Sequence, residues 1–104
     1  MMTVPDSLLQ TIIEVYAPRR IVLFGSQARG DAGPDSDLDL VVVLDDDAPP
    51  EALSWRNRNA ARKGYAGAVD IVPCRESVLA ERALAAGSFA DTILREGQVI
   101  YERH

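Results

Sequence analysis

The chain has 104 residues, 47% hydrophobic and 26% charged, the composition of one ordinary globular domain with a small core rather than of a disordered or fibrous chain. Eleven Lys and Arg against sixteen Asp and Glu leave a net charge of −5, so direct nucleic-acid or membrane binding is not expected, although local basic patches stay open. The single cysteine, Cys74, excludes an internal disulfide framework, and neither a membrane span nor a signal peptide is legible, so the expected setting is cytoplasmic.

From Asp6 to about Ala17, Leu8, Leu9, Ile12, Ile13 and Tyr16 recur at helical spacing, with Asp6 or Ser7 placed to cap the first amides and Pro18 to end the helix. Arg20 to Phe24 is a short β-branched and aromatic run closed by Gly25, the pattern of a buried strand. Gly30, Gly33 and Pro34 punctuate a loop, and Asp37 to about Leu44 reads as a second strand. After "DDDAPP" a helix is expected from Pro49 or Pro50 to about Lys63. "AGAVDIVP" predicts a third strand ending at Pro73, and "ESVLAERALAAG" a helix closed by Gly87. "SFADTILREG" predicts another, with Ser88 and Asp91 in capping-box spacing and Gly97 past its end, before a short strand "QVIYE". No repeat or dividing linker is visible, so residues 1–104 read as one domain with a small mixed sheet flanked by helices, α/β or α+β.

Two carboxylates stand where the second strand begins. Side chains alternate on a strand, so Asp37 and Asp39 share one face with Val41 and Val43, while Leu38, Leu40 and Val42 take the other. Both faces are therefore covered further along, and the charges are grouped at the starting edge. Asp70 repeats the pattern, sharing a face with Val72. The roughly twenty residues between the second and third strands suffice for a helical crossover, which joins parallel strands and aligns their starting edges. If the first strand runs antiparallel to the second, Gly25 and Ser26 arrive at the same edge. Carboxylates gathered this closely repel unless cations intervene. Hard oxygen donors of this kind suit Mg²⁺, and two such ions about 3.5 to 4 Å apart are able to activate a hydroxyl and stabilise a leaving pyrophosphate. A short helix starting near Ser26 would aim free N–H groups at phosphate.

Gly25-Ser26, separated by ten residues from Asp37-x-Asp39, together with Asp70 in "VDIV", resembles the signature of the polymerase β-type nucleotidyltransferases. The short length, "GSQARG" and "ILREGQVIYE" are most similar to the minimal nucleotidyltransferases, the MNT partners of HEPN proteins in prokaryotic toxin–antitoxin modules. The resemblance covers nearly the whole chain. It implies a polymerase β-like fold, with Asp37 and Asp39 binding both metals, Asp70 completing the site of the metal that activates the acceptor hydroxyl, and Gly25 and Ser26 binding the nucleoside triphosphate. It further implies AMP transfer from ATP to a tyrosine of a HEPN ribonuclease toxin, making the chain an antitoxin.

Taken singly, each feature has a plainer reading. Gly25-Ser26 is also a strand-ending turn, and paired acids at strand ends are often solvated. Arg29 either reaches the triphosphate or a partner, or closes the Asp31 turn at the surface. Arg56, Arg58, Arg62 and Lys63 form a basic stretch that is a partner surface or a solvated helix face, and Trp55 beside them anchors a partner or finishes the core. Cys74 reads as a packed small side chain. Two rival functions stay open: adenylation of a small molecule such as an aminoglycoside, and an antitoxin that blocks its toxin without chemistry.

Overall fold

A computed structural model describes residues 4–24, 38–65 and 69–103. Helix α1 (Asp6–Tyr16) leads into β1 (Arg20–Phe24), and β2 (Leu38–Leu44) pairs antiparallel with it. A short 3₁₀ turn (Pro50–Leu53) and α2 (Trp55–Ala61) then carry the chain over to β3 (Val69–Arg75), which lies parallel to β2, as a strand joined by a crossover must. Helices α3 (Glu76–Ala83) and α4 (Phe89–Glu96) return it to β4 (Gln98–Glu102), antiparallel to β1. The sheet order is β3-β2-β1-β4. Arg20 and Glu102 are register partners across β1 and β4, and their side chains pair at 3.4 Å.

The alternation expected along β2 is what divides the core. Leu38, Leu40, Val42 and Leu44 pack with Leu8, Ile12 and Tyr16 of α1 and with Ala61 of α2 on one face. Val41 and Val43 meet Val22, Leu79 of α3 and Ala90 and Ile93 of α4 on the other. A strand apolar on both faces is stable only between two layers, so β2 is central and the helices divide between the faces.

Local chemistry moves several boundaries from where the sequence pattern set them. Neither Asp6 nor Ser7 caps α1; Pro5 holds the cap position without a side-chain bond, and Asp6 sits in the first turn, where its charge favours the helix dipole. Ala17, left-handed at φ 46°, ends that helix by donating its N–H to Ile13 O at 2.8 Å, before Pro18 is reached. The helix expected from Pro49 or Pro50 to Lys63 is two pieces. Ser54 is extended, and its hydroxyl accepts from the Asn57 N–H at 3.3 Å, so it starts a new helix rather than continuing the old turn. β3 runs through Pro73 to Arg75, because β3 is an edge strand and the missing N–H of proline falls on its open side. α3 stops at Ala83, and Gly87, at φ 80°, belongs to the turn that launches α4. There Ser88 Oγ accepts from the Asp91 N–H at 3.1 Å while Asp91 Oδ2 accepts from the Gly87 N–H at 2.9 Å, a variant of the expected capping box.

Gly97 follows α4 as expected but for a different reason. Its φ of −74° is open to any residue; what excludes a side chain is space, since a Cβ there would stand 2.5 Å from Val22 Cγ1 and 2.6 Å from the Ile93 carbonyl oxygen. The carbonyl is backbone and moves only with α4. Gly97→Ala is therefore expected to destabilise the fold by about 2 kcal/mol, within the usual range for overpacking, read as a lower urea midpoint at unchanged slope.

Candidate functional site

The candidate site lies at the starting edges of β2 and β3. Their register pairs Leu38 with Val69, Asp39 with Asp70 and Leu40 with Ile71. Leu38, Leu40, Val69 and Ile71 all belong to the α1 side of the core, so alternation sends Asp39 and Asp70 to the opposite face, together with Val41 and Val72. Two carboxylates thus stand side by side on neighbouring strands, about 5 Å apart at the backbone. Asp39 is half-buried and Asp70 is exposed, so the pair opens to solvent on one side.

Of the site residues expected from the sequence, the structure brings together Asp39 and Asp70. Asp37, Gly25, Ser26 and Arg29 lie outside the described residues. Among those that are described, no group of three or more His, Cys, Asp or Glu side chains is placed to hold a metal ion. The Asp39 and Asp70 pair nevertheless suits a hard divalent cation, being oxygen-only donors at one level of the sheet with an open side for phosphate oxygens or water.

The row continues onto β1. Phe24 is the register partner of Asp39, packs with the same core layer, and meets Phe89 of α4 edge to face, with ring centroids 5.3 Å apart and planes at 80°. Phe89 remains 59% exposed beside this edge. Sequence reading placed Phe89 only as a helix residue. The signal available was its position directly after the cap Ser88, which fixes where the first side chain of α4 points, but the neighbour it meets belongs to a strand far away in the chain.

The other charged features are not part of this edge. A cavity of about 400 Å³ lined by Arg19, Asp45, Asp46, Asp47 and Glu76 lies past the far end of β2. That is about 20 Å along the strand from Asp39. Four of its five charged side chains are engaged: Arg103 and Arg19 bond Asp45 at 2.7 and 3.1 Å, Arg19 also pairs with Glu76, and Asp46 accepts from the Ser77 N–H at 2.8 Å. The Arg103 hydrogen bond, aided by that of Arg19 and outweighing desolvation, holds the Asp45 carboxyl below the usual aspartate range. These bonds form a latch that ties the start of β1, the end of β2, α3 and the chain after β4 together. Arg56, Arg58, Arg62 and Lys63 are exposed on or just after α2, none of them paired with a carboxylate among the described residues. Trp55 is 63% exposed under the Arg56 guanidinium at 5.8 Å, so it does not finish the core. Cys74 is half-buried, and burial pushes its thiol above the ordinary value, away from the nucleophilic thiolate. Among the described residues no helix is long and apolar enough to cross a membrane.

A mixed four-stranded sheet of this order, flanked by helices, is the architecture of a polymerase β-like nucleotidyltransferase. The chain belongs to the nucleotidyltransferase domain family, whose pattern matches residues 6–100. Two solved structures share its fold at 18% identity. One is a toxin–antitoxin crystallised with AMP-PNP, with a TM-score of 0.62 over 97% of this chain and 76% of that one. The other, from Sulfolobus solfataricus and assigned as a nucleotidyltransferase, has a TM-score of 0.60 over 94% of this chain and 77% of that one. Among curated proteins, none matches the sequence.

Proposed function

We propose that residues 1–104 act as one minimal nucleotidyltransferase that moves AMP from ATP to a hydroxyl of a protein partner, a tyrosine of a cognate HEPN toxin, and thereby serves as a cytoplasmic antitoxin. The acceptor oxygen forms a bond to the α-phosphorus, the bond to the β-phosphate bridging oxygen breaks, pyrophosphate leaves and the hydroxyl proton passes to solvent. The observation that carries this reading is the residue-for-residue pairing of Asp39 with Asp70 in a chain of this family. Asp37, Asp39 and Asp70 are the residues that would hold two Mg²⁺ ions, and Gly25, Ser26 and Arg29 those that would hold the triphosphate. When bound, Mg²⁺ supplies neutralisation of the phosphate charge and a more acidic acceptor hydroxyl. The side chains themselves orient the α-phosphate against the acceptor and keep anionic charge fixed at the edge where cationic ligands are needed. An antitoxin role is supported by the fold shared with a toxin–antitoxin structure, and ATP by the analogue that structure holds.

The test is transfer of label from each α-labelled nucleoside triphosphate, with Mg²⁺, in an extract of cells expressing the protein. A labelled protein band formed from ATP alone and abolished by EDTA is the expected result. Label in a small product instead would shift the case to antibiotic or metabolite adenylation. No transfer from a folded protein that co-purifies with a partner would leave a blocking antitoxin.

A further inference from the structure

At the aligned starting edge, one row of side chains crosses three strands on one face: Phe24 on β1, Asp39 on β2 and Asp70 on β3. Neighbouring strands are about 4.8 Å apart, so Phe24 lies about 5 Å from Asp39 and about 10 Å from Asp70 at the backbone. The row is polar at one end and aromatic at the other, and Phe89 of α4 packs on the aromatic end.

We infer that Phe89, braced edge-on by Phe24, is the stacking platform for the base of the nucleoside triphosphate. Exposure is the first reason. The Phe89 ring meets the rim of the core at Phe24 yet stays 59% in water, although Ala90 and Ile93 of the same helix are buried. Rigidity is the second. The start of α4 is closed by the Asp91 N–H donating to Ser88 Oγ at 3.1 Å and the Gly87 N–H donating to Asp91 Oδ2 at 2.9 Å, and Phe24 holds the ring at 5.3 Å, so its position is set before any ligand arrives. Direction is the third. The aromatic end of the row is the β1 end, whereas Asp70, which the proposed function assigns to the acceptor hydroxyl, stands at the opposite end. A flat ring bound beside Phe89 therefore lies on the nucleotide side. A phenyl face binds any base and carries no hydrogen-bond readout, so this contact gives affinity with little base preference.

The inference rests on the nucleotidyltransferase reading, and two ligands separate their failures. Binding of a non-hydrolysable ATP analogue and of tripolyphosphate, each with Mg²⁺, would be measured calorimetrically for wild type, Phe89→Ala and Phe89→Trp, with circular dichroism to confirm folding. Phe89→Ala is expected to weaken the ATP analogue about tenfold, leave tripolyphosphate unchanged, and be rescued in Phe89→Trp. Unchanged affinity for the ATP analogue in Phe89→Ala overturns the inference and leaves the nucleotidyltransferase reading standing, as does equal weakening of both ligands. Wild-type protein that binds neither ligand sinks the nucleotidyltransferase reading, and this inference with it.

Discussion

Replacing Asp39 with Asn is expected to slow nucleotidyl transfer about 1,000-fold, roughly 4 kcal/mol of lost transition-state stabilisation, with little change in the thermal midpoint. The amide keeps the shape of the carboxylate and removes its charge. Because Asp39 is only half-buried at the edge of the sheet, the fold tolerates that exchange, while a divalent cation loses one of the two carboxylates the register sets side by side. Asp70→Asn is expected to cost about as much, and the double variant little more than either, since residues that act as a unit are not additive. Asp45→Asn, in the latch at the far end of β2, serves as the control and should transfer label at the wild-type rate. Protection of cells by the Asp39→Asn/Asp70→Asn variant at wild-type level would favour a blocking antitoxin over a catalytic one.

The second large effect is on stability. Leu40→Ala is expected to destabilise the fold by about 3 kcal/mol. In a domain of this size that is a fall of about 12 to 24 °C in Tm. Leu40 is fully buried in the middle of β2, with Leu23 and Ile71 as its register partners on either side, also fully buried or nearly so. Truncation removes the centre of a row that three strands build together, and neighbours held by sheet hydrogen bonds have little freedom to close the gap. Leu84, 85% exposed after α3, is the contrast, and Leu84→Ala should lie within about 0.5 kcal/mol of wild type. Urea unfolding of the two variants measures the difference directly.

Much of the frame was legible because it is local or periodic. The alternation in "LDLVVVL" announced a strand covered on both faces, and the length of chain before "VDIV" sufficed for a crossover, which the structure uses to bring in a parallel partner. The misplaced boundaries share a cause. Ser54 looks like any residue of a helical run until its hydroxyl takes the Asn57 amide, and Pro73 looks like a terminator until β3 is known to be an edge strand. Such competition between local options is settled by what lies alongside.

What the sequence determined by itself is the chemistry and its grouping: acids at the starts of two strands, apolar positions beyond them, and a motif set that marks a nucleotidyltransferase. The tertiary structure decided which of these groups are neighbours. Only the register of β3 on β2 sets Asp70 opposite Asp39 rather than one residue away on the other face, and only the packing of α4 over β1 brings Phe89 to Phe24. The physical reason is the same in both cases. Strand and helix periodicity is written by successive residues, whereas register and layer packing are set by burying two apolar faces at once, a condition that no single segment carries.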